Sequence, residues 1–387
     1  MCKYSDVKYQ RAAAEIDLNK AVHNIASIRN YMREGLKLCA IVKADAYGHG
    51  AVEYCRAVDA YADYFAVASL GEGIALRESG IKKPILILGS LFPEEIEDAI
   101  KNDLSITVFQ EERARLISGI AASLFKKASV HIAVDTGMSR IGLLPDEAGV
   151  YEASKIAAFP NISIDGTFTH FATADESDIS SAREQYRKFR YFLELMEKRN
   201  IPTGLRHCSN SAGIVKELGT EMDMVRAGMI LYGYSPSDDT DCKKLNLSPV
   251  MSLRSRLAYI KNVKKGSKIG YGGSFTAPYD MKIGTINLGY ADGYYRDLSN
   301  KGAEVLIRGK RCKITGRICM DQFMVDLTDM NDVFEGDVVT LIGRDGDEEI
   351  NALELSDIAG HVHYEILCAI NGRVPRKYIF NEEKIKV

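Results

Sequence analysis

The sequence predicts an α/β chain: a (β/α)8 barrel of the TIM type followed by a mainly β domain. Three observations carry that expectation. Apolar runs of strand length alternate with helical stretches from about residue 36 to 233. There are eight such units. After about residue 240 the alternation stops, and strand-like runs follow one another with only turns between them.

The eight strand candidates are LKLCAIVKA (36–44), YFAVAS (64–69), PILILG (84–89), SITVFQ (105–110), SVHIAVDTG (129–137), IDGTFTHF (164–171), LRHCSN (205–210) and MVRAGMILYG (224–233). Segments 112–127, 145–159 and 182–200 carry apolar residues at helical spacing. Continuous apolar strands separated by helices imply a parallel sheet covered on its outer faces. Eight units favour closure into a barrel over an open doubly wound sheet.

In the second part, RSRLAYIKNV (254–263), KIGTINLGYA (282–291), AEVLIRG (303–309), 310–327 and DVVTLIG (337–343) read as strands, with one helix at 351–360. The expected division is an extension over 1–12, a barrel over 13–240 and a β domain over 241–387. Residues 13–19 are open to pairing with the second domain.

Composition excludes several classes. The chain has 387 residues, 46% hydrophobic and 27% charged, with a net charge of −3. That is an ordinary globular composition with no electrostatic case for nucleic acid or an anionic membrane. No apolar run reaches bilayer length, and the N-terminus lacks a signal-peptide core, so the cytoplasm is expected. The eight cysteines are scattered, without CxxC or zinc spacing. They read as reduced thiols, and no metal site is expected.

Polar residues gather where the barrel strands end. Lys43 and Tyr47 follow the first strand, Asp135 and Arg140 the fifth, His170 the sixth, and Asn210 and Ser211 the seventh, while Arg226 and Gly228 lie on the eighth. Barrel active sites occupy that face. NSAG and RAGM after strands 7 and 8 offer a hydroxyl and backbone N–H groups for a phosphate. A lysine ending an apolar strand usually snorkels to solvent. Here it is also placed to form a Schiff base with an aldehyde. Phosphate plus Schiff-base lysine reads as pyridoxal 5'-phosphate.

KADAYGHG, HIAVDTGMSRIG, THFATADE, NSAG, MVRAGMILYG, IGYGG, GYADGYYR, GRICMDQFMVD and YEILCAINGRVPR resemble, in order and over nearly the whole chain, the blocks of the alanine racemases. The resemblance implies interconversion of L- and D-alanine by two bases, with D-alanine supplied for cell-wall precursors. Lys43 would carry the cofactor and serve as one base. Tyr271 would be the other, reaching the barrel of a partner subunit in a homodimer. Arg226 would face the pyridine nitrogen, oriented by His170. Tyr47, Asn210, Ser211, Gly228, Met229 and Tyr364 would surround the cofactor. Arg140 and Met320 would hold the substrate carboxylate, with Asp321 supporting that turn and Cys319 beside it. Tyr290 and Tyr364 would narrow the entry for a small side chain.

One position departs from the family. Many members carry a carbamylated lysine two residues before the aspartate of VDTGM, bracing the arginine. This chain has Ala133 there, so a bound anion, a water or a neighbouring polar group must brace Arg140. Rival readings are a serine or broad small-amino-acid racemase, a decarboxylase on the same layout, and a non-catalytic cofactor carrier. A cofactor-free lysine aldolase would leave the phosphate motifs unused. A decarboxylase would place a carboxylate at the pyridine nitrogen, where this chain has Arg226. A single-barrel carrier would lack the β domain and Tyr271.

Overall fold

A computed structural model describes residues 11–381; most of the expected 1–12 extension therefore lies outside the described residues. The chain divides into two compact units. One comprises residues 20–46 and 51–248, the other the described residues among 1–19, 47–50 and 249–387.

The strands in chain order are β1 (Ala12–Asp17), β2 (Lys37–Ile41), β3 (Tyr64–Val67), β4 (Ile85–Ile87), β5 (Ser105–Val108), β6 (Ala128–Ala133), β7 (Ile162–Phe168), β8 (Leu205–His207) and β9 (Met224–Ala227). Strands β2 to β9 form one eight-stranded sheet in the order β8-β7-β6-β5-β4-β3-β2-β9, every named pairing parallel. Arg226 N–H donates to Ser209 O at 2.9 Å and Asp223 N–H to Arg206 O at 3.0 Å, which joins β9 to the β8 segment and closes the ring. Most strand residues are buried, among them Leu38, Phe65, Leu86, Ile106, Ile132 and Val225. This is the burial on both faces that unbroken apolar strands predict.

The second unit adds β10 (Met251–Val263), β11 (Lys268–Ile269), β12 (Phe275–Thr276), β13 (Met281–Ile286), β14 (Glu304–Ile307), β15 (Lys310–Thr315), β16 (Phe323–Asp326), β17 (Val338–Asp345), β18 (Glu348–Ile350) and β19 (Arg376–Ile379). Nine strands run in the order β18-β17-β14-β15-β16-β13-β10-β1-β19, and β17 also pairs β10. Strand β1 lies antiparallel to β10 and parallel to β19. The first strand of the described residues thus belongs to the β unit.

The barrel unit runs on to Ser248, eight residues past the change of pattern at 240. Side chains of the helix Leu18–Tyr31 hold that stretch. His23 Nε2 contacts Asn246 O at 2.8 Å, Asn24 bonds both Ser248 N–H and Ser248 O, and Ser27 Oγ donates to Leu245 O.

The first barrel strand is also shorter than its apolar run. It stops at Ile41. Ala44, Asp45, Ala46 and Tyr47 then take φ of 50°, 52°, 53° and 52°, a turn of left-handed helix made without glycine. For L-residues this costs roughly 1–2 kcal/mol each, so surrounding contacts must hold it.

Candidate active site

Those contacts begin with Glu72, on the helix Leu70–Glu78 after β3. One carboxylate oxygen accepts from Ala44 N–H at 2.7 Å, and the other from Ala68 N–H at 2.7 Å. Asp45 accepts from Ala51 N–H at 2.7 Å, and Ala46 N–H donates to Val42 O at 2.9 Å. Together they fix the backbone on either side of Lys43, which is partly buried at the end of the first barrel strand.

Arg226 points from β9 into the barrel and is 3% exposed. Its Nη1 donates to His207 Nδ1 at 2.8 Å and His207 O at 3.2 Å. Its Nη2 reaches Thr169 O at 2.8 Å, Cys208 O at 3.0 Å and His170 Nδ1 at 3.3 Å. Guanidinium has five N–H donors. The terminal four are spent, and Nε–H has no partner among the described residues. No described carboxylate bonds Arg226 either; its charge is solvated by carbonyl dipoles and imidazole lone pairs. Burial lowers its pKa to about 10, so the cation persists at neutral pH.

His170 shows which cations share the barrel mouth. Burial, then Arg226, Arg140 and Lys43 in that order, push its pKa down to about 3. It is a neutral imidazole among three positive groups, and the mouth favours an anionic ligand.

Arg140 rides a loop that leaves β6 and returns beside it. Leu143 N–H donates to Ala133 O at 2.9 Å and Asp135 N–H to Leu143 O at 2.8 Å. Asp135 accepts from Gly137 N–H and Ser139 N–H, both at 3.0 Å, which shapes the turn. Gly142 has φ +131°, and a Cβ there would lie 2.4 Å from Asp135 N. Arg140 itself makes no hydrogen bond or ion pair among the described residues. Ala133 is buried and offers it nothing.

After β8, Asn210 caps the short helix Ser211–Val215, its side chain accepting from Gly213 N–H at 2.9 Å. Expected among the cofactor-binding groups, Asn210 is thus committed to shaping the turn. Ser211 Oγ accepts from Gly228 N–H at 2.9 Å. That bond ties the two phosphate-type turns together and leaves the hydroxyl proton of Ser211 to donate, while the Gly228 N–H is already engaged. Met229 follows at the start of a 3-10 turn, buried.

In the β unit, Gly48 has φ +81°, and a Cβ there would sit 2.4 Å from Leu367 O. The glycine lets the turn lie against the helix His363–Ala369, which carries Tyr364. Tyr47 and Tyr364 rings lie 5.9 Å apart, and burial pushes the Tyr47 hydroxyl pKa up. Tyr271 is 67% exposed in a glycine-rich turn. It lines an open cavity of about 590 Å³ with Cys319, Met320, Asp321 and Gln322. Tyr290 N–H and Ala291 N–H donate to Cys319 O and Met320 O, each at 3.0 Å, so the GYADG and ICMDQ turns are one assembly. Beneath it, fully buried Asp292 binds Arg11 through both oxygens and accepts from Gly289 N–H at 3.0 Å. Arg373 bonds Asp321 at 2.7 Å.

The model of the alanine racemase N-terminal domain matches residues 16–236, and that of the C-terminal domain residues 250–378. The chain belongs to the alanine racemase family. It is 44% identical over 367 residues to the alanine racemase of Desulforamulus reducens, covering 95% of this chain and 98% of the relative. Among solved structures it is similar to the alanine racemase of Clostridium difficile 630, with a TM-score of 0.93, 41% identity and 97% of each chain covered. It is also similar to that of Bacillus anthracis with bound L-Ala-P, at a TM-score of 0.91 and 37% identity over 97% of this chain and 96% of the other.

Within this alanine racemase-family chain, motif reading finds Lys43, Arg140, His170, Ser211 and Arg226 around one mouth, and Met320, Asp321, Cys319 and Tyr290 on one pair of joined turns, with Tyr271 on a third turn that shares their cavity. It misses Glu72, His207 and Asp292. Glu72 lies on a helix with no motif. His207 is the last residue of the short strand β8, buried, where an imidazole looks like filler. Asp292 stands within GYADG, whose tyrosine draws the attention. Gln185 is missed too: this buried side chain accepts from Ala172 N–H at 2.8 Å and donates to His170 O at 3.1 Å.

Proposed function

We propose that this chain is a pyridoxal 5'-phosphate-dependent alanine racemase that interconverts L- and D-alanine. The observation that carries the proposal is Arg226: a buried permanent cation with its terminal N–H groups spent, Nε–H left over and no carboxylate attached. Such a group suits a ring nitrogen that stays unprotonated, since a second proton there would face a cation. Arg140, which has no hydrogen bond or ion pair among the described residues, neutral His170 and the Ser211 hydroxyl suit an anionic, phosphorylated ligand. When bound, pyridoxal phosphate supplies an aldehyde carbon for an amine and a ring that accepts the electron pair released at Cα.

The residues of the chain then divide the work. The Lys43 amine takes or returns a proton at Cα from one face. At the other face Tyr271 of the partner subunit would take the proton as phenolate or return it as phenol, so each direction of racemisation uses both groups. Arg226 limits how far the ring withdraws electrons, which favours return of the proton to Cα. Arg140 and the Met320 backbone hold the substrate carboxylate, and Tyr47 and Tyr364 flank the phosphate. Tyr290 and Tyr364 restrict side-chain size. An exposed Tyr271 and Met320 lining one open cavity support a homodimer with shared sites. A small anion or water supports Arg140 in place of the lysine that Ala133 replaces. The expected setting is cytoplasmic, feeding D-alanine to cell-wall precursors.

The test is conversion of L-alanine to D-alanine with added pyridoxal phosphate, beside L-serine and with CO₂ monitored. Fast alanine turnover, slower serine turnover and no CO₂ support the proposal. Serine turnover above alanine, or CO₂ release, overturns it. Lys43→Ala is expected to abolish racemisation in folded protein, and Tyr271→Phe to keep the yellow colour while losing most two-way exchange.

A further inference from the structure

Arg226 does not rest on His207 alone. His207 Nε2 lies 3.0 Å from His131 Nδ1, and both rings are fully buried inside the barrel. The direction of this chain of contacts is fixed by its first member. Guanidinium can only donate, so His207 Nδ1 must be a bare acceptor and the His207 proton must sit on Nε2. That proton then needs an acceptor, and His131 Nδ1 is the acceptor present. It follows that His131 also carries its proton on Nε2, an atom with no partner among the described residues.

Three features of the strands are built around this contact. A register shift between Val130 and His131 marks an irregularity in the β6–β7 pairing, of the kind that re-aims a side chain near active sites. Gly166, the residue paired with His131, leaves room for the ring: a Cβ there would lie 2.3 Å from His131 Nδ1. His207 is stacked on Phe168, centroids 5.1 Å apart and planes 14° apart, so its ring plane is held and its tautomer is the remaining freedom. Phe168 also lies under the Arg226 guanidinium at 5.6 Å.

We propose that His131 is a positioning residue for Arg226: by accepting the His207 Nε2 proton it locks His207 in the tautomer whose Nδ1 receives the guanidinium. Without His131, the buried Nε2–H of His207 is unsatisfied, and the tautomer with the proton on Nδ1 becomes competitive. That tautomer sets donor against donor at Arg226, and the guanidinium must turn away. The proposal rests on the reading of Arg226 as the residue facing the cofactor ring, but its core is a statement about two imidazoles that needs no cofactor to examine.

The experiment is long-range proton–nitrogen NMR of protein labelled with 15N-histidine, first without and then with pyridoxal 5'-phosphate. The wild type should show His207 bare at Nδ1 and protonated at Nε2. His131→Phe keeps the ring volume and removes the acceptor, and should lose this single form. His131→Asn places an oxygen where Nδ1 was and should restore it. His131→Leu serves if the Phe variant does not fold. In the loaded protein, His131→Phe should shift the cofactor absorption band and lower kcat by about 10- to 100-fold with little change in KM, and His131→Asn should recover most of both. A wild-type His207 protonated on Nδ1 overturns the proposal, as does a His207 tautomer or an absorption band indifferent to His131→Phe. If pyridoxal phosphate fails to bind the wild type, the cofactor reading falls while the tautomer result still decides the role of His131.

Discussion

Glu72 accepts the Ala44 amide at 2.7 Å with one oxygen and the Ala68 amide at 2.7 Å with the other, so a helix one strand away clamps the backbone beside Lys43. Glu72→Ala removes the acceptor of the Ala44 amide, in a left-handed turn that needs support, and the acceptor of the Ala68 amide that anchors the clamp. A loss of about 2–3 kcal/mol is expected, in the range for hydrogen bonds to a charged group. Glu72→Gln keeps one acceptor and should lose about half as much. Urea unfolding of the three proteins measures the difference, and a silent Glu72→Ala would mean that the turn is held elsewhere.

Gly48 combines a φ of +81° with a backbone oxygen 2.4 Å from the place a Cβ would occupy. Gly48→Ala should cost at least about 2 kcal/mol, the left-handed penalty plus displacement of the helix bearing Tyr364. The thermal midpoint of the variant reports it. Pyridoxal phosphate affinity should fall with it, since Tyr364 rides on the displaced helix.

Asp292 is fully buried, and its main ionic partner Arg11 is about a third exposed. Asp292→Asn leaves Arg11 without its counter-charge and weakens the turn that supports Met320. After allowance for solvent at Arg11, about 2–3 kcal/mol should be lost. KM for L-alanine should rise more than kcat falls if, as proposed, the Met320 turn binds the carboxylate. Steady-state kinetics of the variant separates the two effects.

Acid and alkaline limits should have different owners. Burial holds His131 at about 4 and His170 at about 3, below the ordinary histidine value near 6.5. The unfolded chain therefore takes up protons first as pH drops. The stability these neutral rings contribute is intact above about 6.5 and drains away below it, by up to about 1.4 kcal/mol per group per pH unit. His361 behaves oppositely. Hydrogen bonds donated to Asp297 at 3.0 Å and Glu365 at 2.9 Å raise its pKa, so its contribution is full below the ordinary value and is lost as pH rises through the raised one. The melting difference between wild type and His361→Gln should be larger at pH 6 than at pH 8.5, and equal differences would dismiss the clasp.

The architecture was largely legible because buried parallel strands leave unbroken apolar runs, and helical spacing fills the gaps between them. The left-handed turn was not. Ala44, Asp45 and Ala46 have no local feature that demands a positive φ; contacts from Glu72 and from the segment at residue 51 impose it. The clustering of Lys43, Arg140, His170 and Arg226 followed from strand ends alone. What steadies them did not, since His131, His207 and Gln185 act through geometry between strands that lie far apart in sequence. Asn210 shows the converse: a residue inside a recognisable block whose side chain is used to cap its own helix.

The four residues after Lys43 wind in the mirror-image sense to an ordinary right-handed helix, and two of them are alanines. A D-residue would sit at ease in that turn where an L-residue is strained. The proposed reaction yields D-alanine, while the turn that follows its lysine contains L-alanines held in the geometry their enantiomer prefers. Semisynthetic protein carrying D-alanine at position 44 should consequently resist heat better than the natural chain.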